Sequence, residues 1–419
     1  MSRTPTSRRT WLLPLLVCGV YVLLQLAAGP SWTLFPDSYR YARAAEQYLG
    51  ASRSEAHHTA LEAFCTSRST AAAESKALDP LPEPAAADAA SCLKRWADAP
   101  DITTDDARYQ SVFSSRPGYP LLAAPFVGLF GVLTGMRVLG LLMALAGSLV
   151  VAGILRSAGL SPPAAAVGQT VFLICPLGWW STQALGEGLV TVCVLGAVWG
   201  GLLMTRGRPL SGSLLFTGAL AACTVTRYST ALVLAALIAA AALLTWCFRR
   251  SRGVLLLGAT AAACAAAIAL VMKLLALPSS EVTLQDTFTR HFRSPEVPDP
   301  WARLVDLDLH FWRHWLSEQT AMPFFLVLTA LALWMLLRYG GVLGPLACAV
   351  ALVGAVQVAA HPLVQEADRL GVLMWVPVTL GIALLTPSLP GFRSLPFDRT
   401  VQVPDPTMEP HHADTTASR

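Results

Sequence analysis

Charge is what this sequence has least of. Only 13% of its 419 residues are charged, against about 25% in an ordinary soluble domain. Lysine is almost missing: 3 of the 30 basic residues are Lys and 27 are Arg. Scarce charge excludes disorder over most of the chain. A content of 54% hydrophobic residues, with mean hydropathy +0.53, excludes a soluble enzyme of two or three domains. Thirty basic groups spread over many loops are too few for a nucleic-acid surface, so no nucleic-acid partner is expected. Cys/His spacing of the zinc type is also lacking. What the chain has instead is long apolar runs. The expected fold class is an all-α polytopic membrane protein, with the lipid bilayer as its surroundings.

Runs of 17 or more apolar residues predict about ten transmembrane helices, near 11–29, 138–155, 164–180, 188–204, 210–226, 228–248, 253–277, 321–337, 341–360 and 370–386. A further run, 117–133, is shorter and carries three prolines. If it does not cross, the short loops on the N-terminal side hold Arg3, Arg8, Arg9, Arg156, Arg206, Arg208, Arg249, Arg250, Arg252 and Arg338, and no acid. Basic loops face the cytoplasm. The segment 117–133 is therefore expected to be interfacial or re-entrant, with both termini cytoplasmic. Trp179 and Trp180 then fall at an outer water–lipid boundary. The basic start, the apolar core and Ala27-Ala28-Gly29 also admit a cleaved signal peptide, although a run of about 19 residues is long for a signal core.

The resulting organisation is a cytoplasmic start and first span (1–29), a large outward loop with interfacial helices (30–137), spans two to seven (138–277), an outward amphipathic segment (278–320), spans eight to ten (321–386) and a polar cytoplasmic tail expected to be disordered (387–419). The first outward loop holds Cys65 and Cys92, placed where an oxidising compartment permits a disulfide. In the second, Trp301, Leu304, Val305, Phe311, Trp312 and Trp315 share roughly one helical face, as in a helix lying on a leaflet. His310 and His314 could ligate a metal with Asp306, but no third strong ligand is placed, and interfacial polar-face histidines explain them better.

The remaining ionisable groups gather at the outer ends of the spans. Asp37 follows span one, Arg116 precedes Pro117-Gly118-Tyr119-Pro120, Glu187 opens span four, and Arg227 joins spans five and six. His361, Glu366, Asp368 and Arg369 join spans nine and ten, and Lys273 lies near the outer end of span seven. Charges at such depths usually face a cavity or a partner. Several acids and arginines on one side point to an anionic ligand and proton chemistry. Locally, Asp37 reads as the N-cap of a helix over 38–49, with Tyr39, Tyr41 and Tyr48 marking the interface. Glu187 reads as well as a helix-start acid favoured by the helix dipole.

This layout resembles the GT-C glycosyltransferases, which include protein O-mannosyltransferases and lipid A aminoarabinose transferases. The resemblance rests on the acid and Tyr39-Arg40-Tyr41-Ala42-Arg43 helix just after span one, Arg116-Pro-Gly-Tyr-Pro-Leu-Leu, Ala-Leu-Gly-Glu187-Gly and Thr226-Arg227-Tyr228. It covers residues 1–250 in layout and the rest loosely. Many members carry a paired acid, whereas Asp37 is followed by Ser38. The resemblance implies sugar transfer from a polyprenyl-phosphate donor to a protein, lipid or polysaccharide acceptor on the extracytoplasmic face. It implies Asp37 as general base, with Glu187 orienting the acceptor, tuning the base, or holding a divalent cation with Asp37. Arg369 and Arg116 would take the leaving phosphate, with Arg227 and Lys273 behind them. Tyr119, His361 and Glu366 complete the expected substrate-binding set. Arg-rich, Lys-poor composition fits a GC-rich bacterial genome and hence the plasma membrane. Two other classes stay open, an inactive relative that binds lipid-linked sugar and a transporter. A transporter should show internal repeats and charges at mid-span, and neither is visible here.

Overall fold

The computed structural model describes residues 11–28, 32–78 and 88–388, and within them every regular element is helical. Helix α1 (Leu12–Ala28) is apolar on all sides, so only packing against neighbours can fix its place. Gln169, fully buried on α8 (Pro162–Ile174), donates its amide to the Pro14 carbonyl at 3.0 Å and lies 3.3 Å from the Cys18 sulfur. A buried amide must find such partners, and here they tie α1 into the bundle.

After α1 the chain builds a polar layer. Helix α2 (Pro36–Tyr48) begins one residue before Asp37, because Pro36 occupies the first helical position, where its fixed φ and missing N–H suit the turn. Phe35 is the N-cap and donates its N–H to the Ser38 hydroxyl at 3.1 Å. Asp37 is therefore not the N-cap expected from the sequence, and its carboxylate is free to face another element. Helix α3 (Arg53–Ala77) starts with a capping box between Ser52 and Glu55. Asp88 caps α4 (Ala89–Trp96), and α5 (Ala107–Ser114) follows.

A disulfide joins Cys65 on α3 to Cys92 on α4, with 5.7 Å between Cα atoms and 27 residues of separation. Closing a loop of that length restricts the unfolded chain by roughly 3–4 kcal/mol. A Cys65→Ser/Cys92→Ser double variant is accordingly expected to lose thermal stability in detergent and to become protease-sensitive between α3 and α4. An unchanged melting curve and digestion pattern would show that the layer does not depend on the bridge.

Helix α6 (Gly118–Phe130) has 13 residues, about 20 Å, too short to cross a bilayer. It packs on α2 and on α7 (Val132–Ser157), from which Gly131 separates it. Short α9 (Pro176–Thr182) is bent 59° from α8 at Cys175–Pro176, where the sequence predicts one continuous span. Then come α10 (Glu187–Thr205), α11 (Pro209–Phe248) and α12 (Arg252–Leu274). A Cβ on Gly200 would sit 2.6 Å from the Phe216 nitrogen, so α10 and α11 approach backbone to backbone.

Helix α11 runs to 40 residues, yet Arg227 is non-helical at its middle (φ −157°, ψ 82°). Gly212 and Gly253 both press against Met204, so α11 doubles back at Arg227 instead of running straight. The rest of the chain forms α13 (Ser280–Phe288), α14 (Pro300–Ala321), α15 (Phe324–Tyr339), α16 (Leu343–Ala359), α17 (Val364–Leu370) and α18 (Val376–Ile382), with 3₁₀ turns on either side of α18. On α14, Leu304 and Phe311 are buried, whereas Trp301 and Val305 of the expected apolar face are exposed. Helix α14 meets α15 at 90°, at Met322-Pro323.

The count of ten spans is corrected. Among the described residues, five helices are by length and composition apolar enough to cross a membrane, or up to seven if each bent pair is one span. The difference from ten comes from the bent pairs α8–α9 and α14–α15, from 17-residue lengths for α1 and α16, and from α11 counting as one helix although its two halves turn back on each other at Arg227. Pro176 interrupts the predicted run 164–180, whereas the turn at Arg227 falls between spans five and six, where the sequence places it. Residues 1–10, part of the expected cytoplasmic start, and 389–419 of the expected tail lie outside the described residues.

Candidate functional site

Four helices bring charge to one end of the bundle. Asp37 stands in the first turn of α2, Glu187 opens α10, Arg227 forms the break in α11, and Glu366 and Arg369 lie one turn apart on α17. Arg369 is the hub. Its Nη1 donates to Asp37 Oδ2 at 2.8 Å, its Nη2 reaches Glu366 Oε2 at 2.5 Å, and its Nε lies 3.5 Å from Glu187 Oε1. Arg227 donates to the same Glu187 oxygen at 2.8 Å. Each guanidinium presents planar donors that fit carboxylate or phosphate oxygens.

A second layer holds α2 in place. Arg40 and Arg43 both bind Asp101, at 2.8 and 3.1 Å, and the Asp101 side chain is wholly buried. Asp101 also accepts the Thr103 N–H at 2.8 Å and the Gln110 amide at 3.2 Å. Arg40 lies over the rings of Tyr109 and Phe113, at 4.8 and 4.6 Å. Buried charge is tolerated here because it is paired and hydrogen-bonded. Arg40 comes within 3.9 Å of Asp37, and Arg116 adds positive potential from the turn before α6. Four carboxylates (Asp37, Asp101, Glu187, Glu366) thus meet five guanidiniums (Arg40, Arg43, Arg116, Arg227, Arg369), leaving one net positive charge.

Burial alone would push the Asp37 carboxyl up, but Arg369, Arg40 and Arg116 outweigh it and hold the group below its ordinary value. Asp37 is ionised at neutral pH. The Tyr41 hydroxyl moves the other way, pushed up to about 12 by burial and by the carboxylates of Asp37 and Glu187. It therefore remains a proton donor.

Buried polar atoms without a hydrogen-bond partner concentrate here. Among the described residues they are Arg40 Nε, Arg116 Nε, Tyr119 OH, Glu187 Oε2 and Arg369 Nε at this site, against three elsewhere. Native proteins leave few such atoms, and each calls for an explanation. Five at one place mark a site shaped for a polar ligand.

Most residues expected from the sequence converge. Asp37, Glu187, Arg227, Glu366 and Arg369 are in direct contact, and Arg116 acts on Asp37 through space. Tyr119 is buried and packs on Tyr41, with 5.1 Å between ring centres. His361 lies at the edge, bonded to Thr287 at 2.8 Å, and burial pushes its imidazole below the usual range. Lys273 does not join them: it sits exposed at the end of α12, and no described ion pair includes it. Helix α12 packs on α10 and α11, and its Lys273 side chain stays in the open.

Among the described residues no group of three or more His, Cys, Asp or Glu surrounds one point. Asp37 and Glu187 instead share Arg369, which balances their charge. His310 pairs with Asp306 and His314 with Glu318 on an exposed helix face, so these two histidines do not combine with Asp306.

Sequence reasoning missed Asp101, Tyr109 and the turn after α13. There Arg290, His291 and Phe292 have φ of 53°, 62° and 58°, three left-handed residues in succession. Each costs roughly 1–2 kcal/mol. The turn is braced by Gln285, which bonds both the N–H and the carbonyl of Val297, and by Thr289, whose hydroxyl accepts the Phe292 N–H. It sets His291 against Asp286 at 3.0 Å and against the Tyr109 ring at 4.8 Å. Strain held this firmly is characteristic of functional sites. Nothing in the local pattern signalled it, because no glycine or asparagine marks the turn. No family model, curated protein or solved structure matches the chain.

Proposed function

We propose that the protein is a membrane glycosyltransferase that moves a sugar from a polyprenyl-phosphate donor to a hydroxyl acceptor at the membrane face carrying Asp37. The observation that carries this reading is the bridge of Asp37, Glu187 and Glu366 by Arg369, set among buried donors with no partner. In the reaction the acceptor oxygen bonds to the anomeric carbon and the bond from that carbon to the phosphate oxygen breaks. The phosphate leaves with the electron pair, and Asp37 takes the acceptor proton. Arg116, Arg227 and Arg369 stabilise the charge that grows on the phosphate.

Arg369 has two uses. In the free site it neutralises Asp37. As it turns toward the phosphate it releases Asp37, whose basicity rises when the acceptor needs it. A groove of about 760 Å³ opens beside Asp368, with Trp312, Trp315, Phe324, Phe325 and Trp375 among its lining. Its apolar walls suit the first isoprene units of a lipid-linked donor. On this reading the site faces outward from a bacterial plasma membrane with both termini inside, the side to which the short-loop arginines of the sequence are assigned.

The test is to supply membranes of cells overproducing the protein with labelled polyprenyl-phosphate sugars. Transfer of label into endogenous acceptors, above that of control membranes, is the expected result. Label that never leaves the lipid for any sugar in the panel would favour a protein that binds lipid-linked sugar without turning it over.

Acid dependence gives a second check. Because the Asp37 carboxyl is held low, its base form is present above that lowered pKa and is lost as pH falls through it. The acid limb of kcat/KM should thus lie below about pH 4, the ordinary carboxylate value. In Arg369→Gln the largest lowering charge is gone, so the limb of the residual activity should move to higher pH. An unmoved limb would detach Asp37 from Arg369.

A further inference from the structure

We infer that the bundle end remote from Asp37 carries a second binding site, for the phosphate of an anionic phospholipid headgroup. A cavity of about 430 Å³ lies there, with Trp11, Arg156, Ser157, Trp199, Arg206 and Arg208 in its lining. Ser157 ends α7 and Arg206 follows α10, whereas Glu187 opens α10 at the other end. Eighteen helical rises of about 1.5 Å separate Glu187 from Thr205, roughly 27 Å. That is close to the hydrocarbon thickness of a bilayer, about 30 Å. The cavity therefore opens at the opposite membrane surface from the Asp37 site, and nothing in its assignment depends on sugar transfer.

The cavity is built and not a chance gathering of loop arginines. Gly159, at φ +94°, turns the chain after α7 and exposes two carbonyls. Arg206 Nη2 donates to the Ala158 carbonyl at 2.8 Å, and Arg156 Nη1 to the Leu160 carbonyl at 2.5 Å. Two guanidiniums are thus oriented by neutral acceptors. The Trp199 indole donates to Ser157 at 2.8 Å and lies over Gly153, where a Cβ would come within 2.8 Å of the ring. Among the described residues no carboxylate pairs with Arg156, Arg206 or Arg208, unlike the arginines around Asp37.

Three uncompensated positive charges around one cavity call for an anion, and arginine forks match the paired oxygens of a phosphate. Indoles prefer the headgroup level of a membrane, which fits Trp11 and Trp199 beside the charges. Basic pockets between helices at a membrane surface hold anionic headgroups on this principle. A role in setting orientation would need the arginines only on one side of the membrane; it would not need them to converge.

The test uses full-length protein in delipidated detergent solution, titrated with dioleoyl phosphatidylglycerol or dioleoyl phosphatidylcholine and read by native mass spectrometry. Phosphatidylglycerol is expected to bind about 100-fold more tightly, from three charges each worth about fivefold near a membrane surface. Arg208→Gln, whose side chain makes no hydrogen bond or ion pair among the described residues, should weaken it about fivefold, and Arg206→Gln/Arg208→Gln about 25-fold. Arg250→Gln, at the same end of the bundle but outside the cavity, should leave binding unchanged. Inorganic phosphate at millimolar concentration should fail to displace the lipid; displacement would assign the cavity to a free phosphate compound instead of a headgroup. Equal affinity for the two lipids, or equal losses in Arg208→Gln and Arg250→Gln, would overturn the site.

Discussion

Asp37→Asn is expected to lower sugar transfer by about 10²–10⁴-fold, the usual contribution of a positioned general base, while leaving the protein folded. Asparagine keeps the shape of the side chain and an acceptor oxygen for Arg369, but it cannot take the acceptor proton. Folding should survive because Arg369 keeps Glu187 and Glu366 as partners, so no guanidinium is stranded. Asp37 is also a quarter exposed, with 26% of its side chain open to solvent, which softens the loss of one ion pair. Initial rates with labelled donor, beside a melting curve in detergent, separate the two effects. A fall of less than about tenfold with an unchanged melting curve would remove Asp37 as the base, since even weak general bases contribute about 10²-fold.

Asp101→Ala should have the largest effect on stability, about 3–5 kcal/mol, because it removes one partner of a buried ion cluster and leaves the others charged. Arg40 and Arg43 both bind this carboxylate, and 1% and 11% of their side chains are exposed. Neither guanidinium can shed its proton to escape the penalty. The Thr103 N–H and the Gln110 amide lose an acceptor as well, although Gln110 retains the Thr104 carbonyl. Loss of transfer should accompany loss of stability, since Arg40 ties α2, and with it Asp37, to the segment around Asp101. Thermal unfolding and limited proteolysis of the 97–106 segment measure the first consequence, and labelled transfer the second. Asp101→Ala with wild-type melting would show that the two arginines find other partners.

Local pattern carried much of the architecture. Scarce charge and long apolar runs read as a helical membrane protein, and the structure bears out that coarse class with five to seven membrane-capable helices. The helix after span one was legible in Tyr39, Tyr41, Arg40 and Arg43, although Pro36 starts it earlier than Asp37 capping would. The span count was less legible, because hydropathy averages over a window and cannot register a single break. The 59° bend at Cys175–Pro176 falls inside the apolar run 164–180, whereas the break at Arg227 coincides with the charged residue that the sequence places between two spans.

The charged residues at the ends of the apolar runs were all visible in the sequence as groups requiring a reason. Which of them meet was not. Asp37 and Arg369 are 332 residues apart, and only the fold brings the first turn of α2 to α17. Lys273 met the same sequence criterion, yet the fold leaves it exposed at the end of α12. Asp101 lay in a segment with no periodicity, and only the fold pairs it with two arginines one helical turn apart on α2. The sequence by itself determined the class of protein and the short list of charges that bilayer burial forces to find partners, because desolvation cost depends on residue type and depth. Tertiary structure alone decided the pairing, because an ion pair depends on distances of a few ångströms, and these follow from how breaks at Arg227, Pro176 and Pro323 re-aim the helices.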